Sequence, residues 1–180
     1  LERVLGYTPK TAYWPKEISQ PEWTGIPASN SIHICYLGTV NHIIDIKTIV
    51  NLMGRLNRKK KIILHLIGKG ETKAYFIKLL MEAGIEVKDE GIIYDENMKI
   101  RIIQQCHWGL NMMKSNVCVG LTMKSVEYLA FGLPILNTIR GDTWDLVEKE
   151  KVGYNCYTMM SERQLDDIIH LSEDVVGMRA

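Results

Sequence analysis

The chain alternates between short, nearly continuous apolar runs and longer stretches in which apolar residues recur every three or four positions. The runs read as strands and the stretches as helices, because a strand buried on both faces is apolar throughout whereas a helix buries one side. Ile32–Leu37 is the first strand, ending at Gly38, and Asp45 to about Asn57 is a helix with Ile46, Ile49, Val50 and Met53 on one face. Lys61–Ile67 is the second strand, stopping at Gly68-Lys-Gly70, and Glu71–Ala83 is a helix closed by Gly84. A shorter strand, Ile85–Asp89, comes next, then a helix capped by Asp95 and running to about Gln105, then a strand at Trp108–Met112. Lys124–Phe131 is a short helix, Pro134–Asn137 a strand, Asp142–Glu150 a helix and Val152–Cys156 a last short strand, with helical turns after Ser161 and Ser172.

This order predicts an α/β fold, a Rossmann-like parallel sheet flanked by helices on both faces. Such sheets bind ligands at the carboxyl ends of their strands, so the loops that matter are Gly38–Ile44, Gly68–Glu71, Gly91–Asp95, Met113–Lys124 and Thr138–Thr143. Residues 1–30 break the pattern. They carry four of the five prolines and no sustained periodicity, and read as an interdomain linker or extended arm that leaves residues 31–180 as the folded domain.

Composition narrows the classes. A chain of 180 residues, 46% hydrophobic and 24% charged, suits one soluble domain with a core. A formal net charge of +1 gives no global reason to expect nucleic acid or an anionic membrane as partner. The basic run Arg58-Lys-Lys-Lys61 falls between a helix and a strand, as a solvated turn would. Cys35, Cys106, Cys118 and Cys156 lack C-x-x-C spacing, and the first two lie beside strand runs, which favours buried free thiols in a reducing cytoplasm. His65 sits in an apolar strand as a packed or surface residue, and no metal site is visible. No stretch nears the roughly 18 apolar residues of a membrane span. The start at Leu1-Glu-Arg, without Met, reads as an excised piece of a longer protein.

The most informative segment is Val119-Gly-Leu-Thr-Met-Lys-Ser-Val-Glu127, followed by Tyr-Leu-Ala-Phe-Gly-Leu-Pro134. It places a loop before a short helix, whose free N–H groups and partial positive charge suit a phosphate. Lys124 and Glu127 are three residues apart, so a diphosphate and a ribose are within their reach; a capped helix with a solvated surface pair fits the same residues. Gly68-Lys-Gly70 resembles half of a dinucleotide fingerprint, with Asp89 and Glu90 about twenty residues on, but Lys73 replaces the third glycine. The two glycines fit a tight turn or the lining of a sugar-nucleotide cleft as well. Gly38-Thr-Val-Asn-His42 offers small and polar groups for phosphate contact, or a plain strand-to-helix turn. No nucleophilic triad can be assembled, and no catalytic base is assigned.

Taken in order, Tyr36-Leu-Gly-Thr-Val, Leu66-Ile-Gly-Lys-Gly-Glu71, Asp89-Glu-Gly-Ile-Ile-Tyr-Asp95, the Val119–Pro134 segment and Val152-Gly-Tyr154 resemble the C-terminal, donor-binding domain of a GT-B glycosyltransferase of the retaining group 1 family. The resemblance implies transfer of a sugar from a nucleoside diphosphate sugar to an acceptor hydroxyl, in bacterial polysaccharide biosynthesis, with no cofactor and no bound metal. It also implies an acceptor held by a missing N-terminal domain, a cytoplasmic location, and room for peripheral membrane association of the full-length protein.

The same resemblance distributes the site. Gly38 and Thr39 would line the phosphate side, Gly68 and Gly70 the cleft floor, the Ile93-Tyr94 backbone the base, and Glu127 the ribose. Lys124 and Ser125 would face the diphosphate beside the N–H groups of Thr122 to Ser125. Two departures stand out: the family's first glutamate falls on Val119, and its basic pair falls near Thr39 and Ile44. Lys124 is the candidate for replacement charge. The alternatives are a non-catalytic nucleotide-sugar-binding or interaction module, an NAD-binding oxidoreductase domain, and an epimerase or phosphorylase of the same fold.

Overall fold

The computed structural model describes residues 30–174. Residues 1–29 and 175–180, and with them nearly all of the expected linker, lie outside the described part.

Six strands form one parallel sheet in the order β3-β2-β1-β4-β5-β6. The strands are β1 (Ser31–Leu37), β2 (Lys61–Ile67), β3 (Glu86–Gly91), β4 (Trp108–Asn111), β5 (Ile135–Asn137) and β6 (Gly153–Asn155). The helices between and after them are α1 (Ile46–Asn57), α2 (Lys73–Glu82), α3 (Glu96–Gln104), α4 (Met123–Ala130), α5 (Asp142–Glu150) and α6 (Glu162–Glu173). The order in which strands are added reverses between β1 and β4, which opens a crevice at their carboxyl ends.

Side chains alternate across the strands, and each face has its own core. Ile34, Tyr36, Leu64 and Leu66 meet Ile49 and Met53 of α1, Phe76 of α2 and Leu165 and Ile168 of α6. Cys35, Leu37, Ile67 and Ile135 meet Ile103 of α3, Tyr128 of α4 and Val147 of α5. β3 lies at the sheet's edge and is largely exposed, and its Glu86, Lys88, Asp89 and Glu90 give that edge the charge that discourages pairing with another chain.

Most element ends move by a residue or two, and three differences have a clear physical cause. β3 begins one residue later and runs to Gly91, because a register shift at Leu66/Ile67 carries its pairing with β2 to the Gly68 turn. Lys59 and Lys60 are not simply solvated: Lys59 pairs with Asp166 at 2.7 Å and Lys60 with Glu173 at 2.7 Å, and together with Arg55 they staple α6 onto α1. No turn starts at Ser172. It lies inside a continuous α6 begun by the Ser161–Gln164 capping box, is buried, and accepts a hydrogen bond from the Trp108 indole at 2.7 Å. Cys35, Cys106 and Cys156 are buried and Cys118 exposed, all as free thiols. His65 packs inside the fold, its ring nitrogens facing Glu90 at 3.0 Å and His33 at 2.9 Å.

Candidate functional site

The loops after β1, β2 and β3 are zipped together by backbone. Gly38 N–H donates to Ile67 O at 2.9 Å, Val40 N–H to Lys69 O at 2.8 Å, and Gly68 N–H to Gly91 O at 2.6 Å. A Cβ on Gly68 would strike the Gly38 carbonyl, and one on Gly70 the Val40 carbonyl. Both positions also have φ values of +141° and +153°, in the region that L side chains avoid. The two glycines therefore serve loop-to-loop contact; as cleft floor they contribute backbone packed under the Gly38–Val40 turn. Lys73 donates to Gly68 O at 2.8 Å and pairs with Asp89 at 2.5 Å, so the acid that a dinucleotide's ribose would need is already engaged.

Across the crevice stands the start of α4. Tyr128 anchors it: fully buried, its hydroxyl accepts Leu37 N–H at 2.7 Å and donates to Cys35 O at 3.2 Å. Gly109 of β4 makes room for that ring, since a Cβ there would collide with it. Thr122 is the N-cap, and a capping box joins it to Ser125: Ser125 N–H donates to Thr122 Oγ1 at 3.0 Å and Thr122 N–H to Ser125 Oγ at 3.1 Å. Ser125, expected to face a diphosphate, instead turns inward with no exposed surface, and its N–H is taken by the cap. At the helix mouth this leaves Lys124 as the group of interest.

Lys124 and Glu127 part company. The Lys124 stem reaches across the end of the sheet until Nζ lies 4.0 Å from the centroid of the Tyr36 ring, with Cε close under the Gly38 turn. Among the described residues it is the one buried side-chain nitrogen or oxygen without a hydrogen-bond partner. Burial pushes its pKa down from the ordinary 10.5 to about 8. An unpartnered ammonium is costly to bury, and the ring's π face offsets part of that cost. Glu127 points the other way, to α3, where Lys99 Nζ lies 2.6 Å from its Oε1. Its carboxylate stays partly exposed, at 32%.

Thr39 is exposed at the tip of the first loop. Tyr36 donates its hydroxyl to Thr39 O at 2.8 Å, which ties that tip to the ring beneath Lys124. Tyr94 is 86% exposed ahead of α3, and Ile93 packs partly into the core. Val119 is exposed at 36% and Ile44 is buried. The structure thus brings Gly38, Thr39 and Lys124 together, places Ile93, Tyr94 and Glu127 on the α3 side, and uses Gly68, Gly70, Thr122 and Ser125 as the frame.

The support behind α4 is a buried polar ladder whose pairing no local pattern in the chain announces. Asn111, Asn137 and Asn155 are register partners on β4, β5 and β6, all buried. Asn111 Nδ2 donates to Asn137 Oδ1 at 3.0 Å, and Asn137 Nδ2 to Asn155 Oδ1 at 2.8 Å. The ladder ends on the N-cap, where Thr122 Oγ1 donates to Asn111 Oδ1 at 2.9 Å. A buried amide at the end of each of three apolar strands was the available signal.

No family model matches the sequence, and no curated protein matches it. Solved structures do. The C-terminal domain of a group 1 family glycosyl transferase, LpcC from Francisella tularensis, superposes with a TM-score of 0.59 at 15% identity, covering 93% of this chain and 88% of that domain. The fold is that of a GT-B C-terminal domain. Anabaena HepE in complex with UDP-glucose matches with a TM-score of 0.61 at 16% identity, over 83% of this chain and 41% of that one. Staphylococcus aureus TarM, in a complex that contains UDP, matches with a TM-score of 0.62 at 14% identity, over 88% of this chain and 32% of that one. The described chain therefore spans about a third of TarM. The expected fold class and the GT-B likeness both hold.

Proposed function

We propose that this chain is the donor-binding half of a glycosyltransferase that moves a hexosyl group from a nucleoside diphosphate sugar to an acceptor hydroxyl in polysaccharide assembly. One observation carries the reading: a buried cation with no partner, Lys124, at the mouth of α4 in the crevice between β1 and β4. A lone ammonium in that position lowers stability, and a diphosphate is the anion whose charge would complete it. The helix N-terminus adds its dipole to the same point. UDP and UDP-glucose in the complexes of the GT-B structures are the same class of ligand.

In this reading the diphosphate lies between the Gly38-Thr39 turn and the first turn of α4. Cation and dipole stabilise charge on the departing diphosphate, the usual dominant contribution in such a site. Glu127, steadied by Lys99, presents its second oxygen to the ribose, and the base lies along the Ile93-Tyr94 backbone. No metal or cofactor is required. The acceptor, its catalytic groups and any docking to the cytoplasmic face of a membrane belong to a further domain. Among the described residues no helix is long and apolar enough to cross a membrane.

The Lys73–Asp89 pair counts against the oxidoreductase reading. Val119 and the absent basic pair keep a binding-only reading alive, and ligand response separates the readings. The chain is melted with UDP, GDP-mannose and NADH. A ligand at a hundred times its Kd raises stability by about 2.7 kcal/mol. Stabilisation by a nucleoside diphosphate species and not by NADH is expected. Selective stabilisation by NADH, or indifference to all three, overturns the proposal. Adding the acceptor-side domain and measuring sugar transfer then separates an enzyme from a binding module.

A further inference from the structure

A hollow lies beside the loop that leads into α4. It measures about 660 Å³ and opens over the carboxyl ends of β4, β5 and β6, walled by residues 113–120, 138–142 and 156–158 and by the start of α1. Val119 and Gly120 form part of this wall and lead directly into the α4 N-cap. That loop is held in place: Gly120 O accepts both the Thr143 N–H, at 3.1 Å, and the Thr143 hydroxyl from the first turn of α5. A nucleotide with its base over the β3 side and its diphosphate at α4 directs its sugar toward β5 and β6, and so into this space. The size exceeds one hexose and falls in the range of ordinary ligand sites.

The charged groups in its walls are unequally occupied. The Arg140 guanidinium stacks 3.5 Å from the centroid of Trp144 and 5.3 Å from that of Tyr157, and the two rings meet edge-on at 5.3 Å. Stacking fixes the guanidinium plane while leaving its in-plane N–H donors for a ligand. Among the described residues no carboxylate pairs with Arg140 or with Lys114, which stands exposed in the same wall. Of the two acids there, Asp45 is engaged by its own helix cap and Asp142 lies along the Gly120 side of the wall, neither paired with a cation among the described residues. Asp45 accepts the Thr48 N–H at 3.2 Å and the Thr48 hydroxyl at 2.8 Å, one on each oxygen. Asp142 lays its carboxylate against Gly120, where an added Cβ would meet it. Val119 brings no negative charge. The chemistry that complements a planar, pre-oriented guanidinium with open donors is a carboxylate or a phosphate, and with the diphosphate placed at Lys124 the group left for Arg140 is a carboxylate.

Resting on the donor reading above, we infer that this hollow receives the transferred sugar and that the sugar is acidic, a hexuronate whose carboxylate is read by Arg140 with Lys114 nearby. Arg140 is then a specificity-determining residue for the donor.

The test is isothermal titration of the 180-residue chain with matched pairs, UDP-glucuronate against UDP-glucose and GDP-mannuronate against GDP-mannose, with UDP and GDP as references. In the pair whose base is accepted, the acidic sugar should bind about tenfold or more tighter than the neutral one. Arg140→Gln should erase that preference and leave the affinity for the bare nucleotide unchanged, while Arg140→Lys retains part of it. Equal affinity for acidic and neutral sugars, with UDP or GDP still binding, overturns this inference and spares the donor reading. A preference that survives in Arg140→Gln overturns the assignment to Arg140. Failure of every nucleotide overturns both readings. The wild-type pairs decide the matter even if a variant folds poorly.

Discussion

Replacing Lys124 with methionine should make the protein more stable and a poorer nucleotide binder at once. The ammonium has no hydrogen-bond partner, and its pKa stands at about 8 against an ordinary 10.5. At pH 7 that displacement corresponds to about 3 kcal/mol of instability, all of it relieved when the charge is removed. Contact with the Tyr36 ring, worth about 1–2 kcal/mol for a desolvated cation, is lost in exchange. Methionine keeps the length of the side chain and sets a thioether against the ring. The net expectation is a gain of about 1–2 kcal/mol, or about 3–6 °C in melting temperature for a domain of this size. Binding moves the other way: loss of a charged contact to a diphosphate, worth about 1.5–3 kcal/mol, weakens UDP about ten- to a hundredfold. Thermal melting of both proteins, with and without UDP, reads both quantities. A variant that melts lower than wild type would falsify the account of an uncompensated buried charge. Unchanged UDP affinity would show that Lys124 does not meet the anion.

The same lysine gives a pH signature. Its folded pKa is depressed, so between about pH 8 and pH 10.5 the unfolded chain holds a proton that the folded chain has released, and wild-type stability should climb across that window relative to Lys124→Met; a constant difference between the two denaturation curves refutes it. Gly70→Ala should cost about 3 kcal/mol or more in urea denaturation, because its Cβ meets the Val40 carbonyl, whereas Gly91→Ala, with open space around it, should cost about 1 kcal/mol for its positive φ alone. Similar losses at the two sites would mean that the loops are not packed as described. Asn137→Ala leaves Asn111 Nδ2 and Asn155 Oδ1 buried without the amide that each one pairs with, which should cost about 2–4 kcal/mol and weaken UDP binding through the Thr122 cap. A loss under about 0.5 kcal/mol would place the ladder outside the stability of the site.

The order of elements was written in the sequence. Apolar runs such as Lys61–Ile67 and amphipathic stretches such as Ile46–Asn57 are local signals, because burial on two faces and burial on one leave different periodicities. The start of α4 was readable to within one residue, but Thr122 and Ser125, expected at the diphosphate, are taken up by the capping box that begins the helix. The proposed function rests on the ordered loops through resemblance, and the GT-B fold agrees with it.

Direction was what the sequence could not supply. Lys124 and Glu127 are neighbours on one helix, yet one reaches Tyr36 on β1 and the other Lys99 on α3, because the sheet lies against one flank of α4 and α3 against the other. Gly68 and Gly70 looked like a ligand cradle, and only the approach of the Gly38–Val40 backbone explains them. The asparagine ladder is made by strands distant in sequence, brought into register by the 3-2-1-4-5-6 winding. Local propensity set where the chain turns and coils; the packing of the two cores set which side chains meet, because a contact between remote residues exists only after the sheet has closed its order.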